Sequence, residues 1–277
     1  MSPGFAIVLV HGSYHTPKPY APFIQSLKEA GIVAFCPQLP SSDPIKLQLG
    51  DSSTPDYDQA APKSGFPQPA DDVKVIEELL ENLICGQGRN VLLLGHSAGG
   101  FTASAAALPK FLAKNRKPKM GGVIGIYYIC AFLVPVGESI NSFFQPKDGS
   151  DPIIPPYCKF HQHGTDVLVS TINGAKFFFN GLDEEQAEIY ENTLTATAIP
   201  TTVLTNDAYT SLPCAYLVTE DDLALDPKYQ EGMVALHNQR EGVDIKVSRA
   251  KSGHSPHLTW KEGLLEDVLR FGNENLR

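Results

Sequence analysis

Phe5 to Val10 is an unbroken apolar run rich in β-branched residues, and Ile32–Phe35, Val91–Leu94, Val123–Ile129, Ala215–Val218 and Val243–Val247 resemble it. Runs of this length and composition predict strands buried on both faces. Between most of them the apolar spacing changes to that of a helix: Tyr20, Phe23, Ile24 and Leu27 before Gly31, then Val73, Ile76, Leu79, Leu80 and Leu83 after the acidic pair Asp71-Asp72. A last helical stripe, Trp260, Leu264, Val268 and Phe271, closes the chain. Strands alternating with helices predict an α/β fold with a mostly parallel, doubly wound sheet.

Two stretches break the alternation. Leu39 to Pro69 is rich in Pro, Ser, Asp and Gly and shows neither period, so it reads as a long surface loop after the second strand, either edging a functional mouth or tolerated as an insertion. From Cys130 to Ser211 the chain turns aromatic and irregular, with Phe143, Phe144, Tyr157, Phe160 and Phe177 to Phe179. The simplest account is a core of residues 1–129 and 212–277 with a mainly helical cap inserted at 130–211. Within that cap, Asp183 and Gln186 predict a capping box opening a helix whose apolar face is Ala187, Tyr190 and Leu194.

Composition narrows the function classes. With 22 Lys and Arg against 31 Asp and Glu the net charge is −9, and no dense basic run is present, which argues against nucleic acid. The nearest basic segment, Lys110 to Lys119, reads as a solvated helix end and loop. Five widely spaced cysteines, Cys36, Cys85, Cys130, Cys158 and Cys214, read as free thiols in a reducing compartment. No apolar stretch approaches ~18 residues and no basic leader precedes Phe5, so a cytoplasmic enzyme without a membrane partner is the expectation.

The chemistry concentrates at three strand ends. Val91–Leu94 runs directly into Gly95-His96-Ser97-Ala98-Gly99-Gly100 and then the small-residue stretch Ala103 to Ala107, a Gly-x-Ser-x-Gly between strand and helix. A serine on so tight a turn projects its hydroxyl above the sheet edge. It still needs a base and an orienting acid, which in this arrangement follow in the order Ser, Asp or Glu, His. Ala215–Val218 ends in Thr219-Glu220-Asp221-Asp222; Asp222 is the chosen acid, Asp221 its competitor by a one-residue register change, and Glu220 third. The loop before the terminal helix carries Gly253-His254-Ser255-Pro256-His257, where His254 is the expected base and His257 is read as capping or facing solvent. Backbone amides for an oxyanion are expected from Ala98 and from Ser13, in the turn Val10-His11-Gly12-Ser13. Gly12 lets the backbone approach a substrate, and Ser13, Tyr14 and His15 either line a pocket or hold the turn. His161-x-His163 has metal-like spacing without a third ligand, and Gly121-Gly122-Val123-Ile124-Gly125 lacks the setting of a dinucleotide turn, so neither metal nor cofactor is expected.

These residues resemble the esterase and hydroxynitrile-lyase branch of the α/β-hydrolases, which includes plant methyl-ester esterases and bacterial and fungal relatives. The likeness spans nearly the whole chain, through Val8-Leu9-Val10-His11-Gly12, the Ser97 hexapeptide, Phe178-Phe179-Asn180-Gly181-Leu182, Asp222-Leu223-Ala224-Leu225 and Gly253-His254-Ser255-Pro256. The resemblance implies Ser97, Asp222 and His254 as a triad and favours Asp222 over Asp221. Lyase members carry threonine at the place of Gly12 and lysine at that of Ser255, so cyanohydrin cleavage is disfavoured. The long 39–69 loop, and Ala98 where an aromatic is frequent, depart from the common pattern. The expected function is hydrolysis of a small, apolar or aromatic ester or lactone through an acyl-enzyme. The alternatives are a cyclase, lyase or carbon–carbon chemistry on a polyketide-like molecule, and a ligand-binding protein on the same fold.

Overall fold

The central apolar runs become a sheet because they can bury both faces only with helices above and below them. The computed structural model describes residues 4–51, 54–161 and 167–276. In chain order the elements are β1 (Phe5–Val10), α1 (Ala21–Glu29), β2 (Val33–Phe35), α2 (Pro69–Leu80), β3 (Asn90–His96), α3 (Gly99–Ala106), β4 (Gly122–Ile129), α4 (Ile140–Phe144), β5 (Cys158–Phe160), β6 (Leu168–Thr171), α5 (Gly174–Phe178), α6 (Glu184–Glu191), β7 (Thr197–Ala198), β8 (Cys214–Thr219), α7 (Pro227–Asn238), β9 (Ile245–Ala250), α8 (Pro256–Thr259) and α9 (Lys261–Glu274). Six strands pair in the order β2-β1-β3-β4-β8-β9, every pair parallel.

Alternate residues of one strand serve opposite layers. Val8, Val10, Val91 and Leu93 pack with Ile76 and Leu80 of α2, Phe101 of α3 and Met233 of α7. Ile7, Leu9, Leu92 and Leu94 pack with Phe23 and Leu27 of α1 and Leu264, Val268 and Phe271 of α9. Each such side chain contributes roughly 1.5–3 kcal/mol by leaving water, so the strands at the sheet's centre are held from both sides. The last strand starts two residues later than its apolar spacing suggests. Val243 belongs to the preceding turn, where its amide bonds the Arg240 carbonyl at 3.2 Å, and Ile245 opens the pairing with β8. As an edge strand with Val247 exposed, β9 has no uniform apolar pattern to mark its start.

The 39–69 segment is more than a surface loop. Leu47, Leu49 and Phe66 are buried against Leu168, Ala196 and Ala198. Ser41 is fastened to the buried Asp72 of α2 through its amide at 2.8 Å and its hydroxyl at 2.6 Å. A few isolated hydrophobes among many polar residues show no period, which is why the sequence does not reveal this anchoring.

Between β4 and β8 the chain carries the expected helices and also a three-stranded antiparallel sheet, β5-β6-β7, which the sequence reading did not include. Its strands have three, four and two residues, too few to display a period of two. Asp183 caps α6 by accepting the Gln186 amide at 2.9 Å, but the reciprocal side-chain bond of a capping box is absent among the described residues. All five cysteines are free thiols. Among the described residues no helix is long and apolar enough to cross a membrane.

Truncating Phe66→Ala removes the largest apolar side chain of the 39–69 segment. We expect a loss of about 3 kcal/mol in urea denaturation, whereas a loop merely draped on the surface would lose none.

Candidate active site

Ser97 stands on the turn from β3 to α3 with φ of 53°, in the left-handed region that L residues other than glycine seldom occupy. What holds it there is crowding by backbone. A Cβ on Gly99 would lie 2.1 Å from the Val10 carbonyl oxygen, one on Gly95 2.7 Å from Gly100 Cα, and one on Gly12 2.9 Å from Ser97 Cβ. The glycines therefore let β1, the turn and α3 approach closely, and the turn has no other path. Its own hydrogen bonds complete the constraint: the Ser97 amide donates to the Ile129 carbonyl at 3.1 Å, and its carbonyl accepts from Gly100 and Phe132, both at 3.0 Å.

The end of β8 delivers Asp222 to the same sheet edge. Its carboxylate is buried and saturated: Oδ1 accepts the amides of Ala224 and Leu225, both at 2.8 Å, and Oδ2 accepts Thr219 Oγ1 at 2.9 Å, Gln230 Nε2 at 3.1 Å and His254 Nδ1 at 2.8 Å. Because Nδ1 gives its hydrogen to the carboxylate, Nε2 of the neutral ring carries the lone pair. Nε2 is buried and has no hydrogen-bond partner among the described residues, Ser97 Oγ included. Asp221 is exposed and among the described residues meets this region through its backbone, its amide bonding the Ser252 carbonyl at 3.1 Å and its carbonyl accepting Asn180 Nδ2 at 2.7 Å; Glu220 is exposed as well. Gln230, which the sequence reading did not single out, is wholly buried on α7 and also bonds Thr219 Oγ1 and the Leu225 carbonyl. A glutamine on an otherwise amphipathic helix carries no sequence signal of such a role.

Ser97, Ala98, Ser13 and Tyr14 border one cavity of about 400 Å³. Neither the Ser13 nor the Ala98 amide is taken up by a hydrogen bond among the described residues. Gly12 and His15 do not line that cavity. His15 instead turns inward, fully buried, with Nδ1 2.8 Å from the Ser13 carbonyl oxygen, so it holds the turn. Phe132, Phe144, Tyr157 and Phe178 give the cavity much of its apolar wall, and among the described residues its lining contains no Lys, Arg or His, with Asp226 the one charged residue.

The expectation that His257 caps or faces solvent is corrected: it is fully buried and stacks on Tyr20 at 4.3 Å between centroids. Its position in the first turn of a helix did not reveal that α8 faces the packed interior between α1 and the sheet. His163 lies outside the described residues, while His161 is buried with Nε2 2.7 Å from Ser170 Oγ and Nδ1 3.4 Å from Asp58 Oδ1, a pin between β6 and the 39–69 segment. The ligand atoms of His96, Cys130 and His254 lie within 4.8 Å of one another, but His96 Nε2 and Cys130 Sγ are both directed at the His254 carbonyl oxygen, at 2.8 and 3.3 Å. Hydrogen bonding accounts for that cluster.

Burial makes this edge sensitive to acid. It pushes the His11 imidazole down to about 4 and His15 to about 3, and holds His96 and His257 well below the ordinary histidine range, with neighbouring imidazoles reinforcing the last three. The unfolded chain binds protons at these groups near pH 6.5 while the folded chain does not, so their contribution is complete above 6.5 and is lost as pH falls towards 4. Asp72, raised by burial to about 6, works in the opposite sense between 6 and 3.8 but is one group against four. Urea midpoints measured from pH 7 to pH 4.5 should therefore fall steadily; a flat profile would contradict the neutral, buried state of these imidazoles.

The chain matches the alpha/beta hydrolase family over residues 7–266. It is 27% identical over 259 residues to the alpha/beta hydrolase nvfD of Aspergillus novofumigatus (strain IBT 16806), covering 92% of this chain and 91% of that protein. To the probable hydrolase R7 of Phoma sp. (strain ATCC 20986 / MF5453) it is 25% identical over 262 residues, 93% and 94% of the two chains. Its fold is similar to that of a pyrethroid hydrolase from Sphingobium faniae JZ-2, with a TM-score of 0.71 at 19% identity over 97% of each chain. It is also similar to polyneuridine aldehyde esterase, with a TM-score of 0.68 at 17% identity over 96% of this chain and 98% of the other. With the strand order, the strained serine turn and a family match over nearly its whole length, the chain belongs to the alpha/beta hydrolase family.

Proposed function

We propose that this protein is a serine hydrolase that cleaves a carboxylic ester or lactone of a small, uncharged, apolar or aromatic molecule. The observation that carries this reading is the buried Asp222–His254 pair: its imidazole presents an unpartnered Nε2 at the sheet edge that also carries the strained Ser97. In the proposed reaction His254 Nε2 takes the Ser97 proton as Oγ attacks the acyl carbon, and Asp222 orients the ring and stabilises the imidazolium. The Ser13 and Ala98 amides receive the oxyanion. Collapse of the tetrahedral intermediate releases the alcohol, protonated by His254. Water, deprotonated by the same imidazole, then frees the acid. The names of the fungal relatives and of the pyrethroid hydrolase and esterase agree with a hydrolytic reading.

The substrate class follows from the cavity. Its aromatic walls suit apolar groups, and with no cationic side chain among the described residues of the lining an anionic substrate would lose water without gaining a counter-charge. Segment 130–211 acts in this reading as the cap, contributing Phe132, Phe144, Tyr157 and Phe178 to the wall. Gly12 has no room for the threonine that lyases of the resembled branch carry, since any Cβ meets Ser97 Cβ. Ser255 is committed elsewhere, its hydroxyl donating to the Phe178 carbonyl at 2.7 Å. A second reading rests on the missing Ser97–His254 bond: the imidazole abstracts a proton from the substrate itself, for carbon–carbon chemistry, without a serine adduct.

Labelling with a fluorophosphonate followed by peptide mass spectrometry separates the two. We expect a stoichiometric adduct on Ser97 that disappears in His254→Ala; a folded wild type that stays unlabelled would leave the second reading in first place. Asp222→Asn should slow labelling and ester turnover by at least ~100-fold, whereas Asp221→Asn should remain within about twofold of wild type. The reverse ranking would overturn the assignment of the acid.

A further inference from the structure

Tyr20 lies outside every motif of the chain, in a 3-10 turn (Lys18–Tyr20) that leads into α1, and it is wholly buried. Its hydroxyl receives the Gly12 amide at 3.2 Å and lies 2.7 Å from His96 Nδ1. The other ring nitrogen of His96, Nε2, is 2.8 Å from the carbonyl oxygen of His254. Hydrogen-bond chemistry leaves a single arrangement of protons along this line. A carbonyl oxygen only accepts, so His96 Nε2 carries the hydrogen; the neutral ring then has a bare Nδ1, and only the Tyr20 hydroxyl proton can meet it. The Tyr20 oxygen, having given its proton, accepts from Gly12. Burial favours the neutral ring that this arrangement requires.

The line crosses the three pieces of chain that the proposed reaction uses. It begins at the turn after β1 whose next residue, Ser13, lines the cavity with an amide not taken up by a hydrogen bond among the described residues, passes through the residue directly before Ser97, and ends on the backbone of His254. We infer that Tyr20 and His96 are positioning residues which set the spacing of the oxyanion turn, the serine and the base through one directed hydrogen-bond chain. The inference rests on the serine-hydrolase reading given above. Packing fixes the strut sideways: the His257 ring stacks on Tyr20 at 16° between planes, and His15 meets Tyr20 edge-on at 5.8 Å. Neither ring bonds the hydroxyl, so the Tyr20 oxygen is left to Gly12 and His96. Loss of the hydroxyl would strip Gly12 of its acceptor and free His96 to move its hydrogen to Nδ1. The other nitrogen would then face the His254 carbonyl with a lone pair, a repulsive contact.

The test compares wild type, Tyr20→Phe and, as a packing control on α1, Phe23→Leu. The second-order rate of Ser97 modification by a fluorophosphonate is measured on each, together with a thermal melt. The tautomer of His96 is read from nitrogen-15 shifts in histidine-labelled wild type. We expect His96 in the Nε2–H form. We also expect a roughly tenfold slower modification in Tyr20→Phe, below the ~100-fold that a 1 Å misplacement of reacting groups costs, with Phe23→Leu close to wild type. Wild-type rates in a folded Tyr20→Phe would overturn the inference, as would an equal slowing in both variants. A wild-type His96 in the Nδ1–H form would do so even if Tyr20→Phe failed to fold. A wild type that is never modified would instead remove the hydrolase reading on which the inference stands, so the two failures are distinguishable.

Discussion

The structure depends on one steric constraint, the approach of three backbone segments around Ser97. Val10 and His11 at the end of β1, the Gly95–Gly100 turn and residues Ala131 and Phe132 after β4 are so close that any Cβ would collide at positions 95, 99 and 100, and only glycine, which has none, fits there. This crowding forces the serine into left-handed backbone geometry, and the sheet supplies the energy to keep it there. Strained conformations cost of order 1–3 kcal/mol, a small fraction of what β1 and β3 gain by burying both faces among α1, α2, α3 and α9.

A second layer of order is polar. Five donors converge on the Asp222 carboxylate, and the segment after α5 is latched to the same loops: Asn180 bonds the Asp221 carbonyl, Ser255 bonds the Phe178 carbonyl, and Gly253 leaves room for the Asn180 amide. The loop after β8, the loop before α8 and the excursion between β4 and β8 are therefore one connected structure. A change in the latter would be felt at His254 through the Ser255 contact, and the aromatic wall of the cavity is built on that same support. The buried imidazoles and Tyr20 fill the space between α1 and the sheet edge, where a purely apolar filling could satisfy neither the Gly12 amide, which bonds Tyr20, nor the His254 carbonyl, which bonds His96.

Much of this was legible in the chain before folding. The doubly wound sheet follows from six apolar runs separated by helical spacing, because hydrophobic periodicity is a local property that tertiary contacts only make use of. The strained turn at Ser97 was legible because steric crowding demands its glycines in adjacent positions, and Asp222 and His254 could be placed at one sheet edge because both follow strand ends. Packing distinguishes Asp222 from Asp221: it sends one carboxylate inward to a histidine 32 residues away and leaves its neighbour in water.

What the sequence alone determined is whatever depends on residues close together along the chain: strand and helix periods and the glycine turn. Only the tertiary structure decided what depends on residues brought together from afar. His257 turns inward because α8 lies against Tyr20. Gln230 reaches Asp222 because α7 packs beside the loop that follows β8. The 39–69 segment is anchored because three isolated hydrophobes find Leu168, Ala196 and Ala198. None of these partners shares a period or a motif with the residue it meets, so no reading of the chain in order could have paired them.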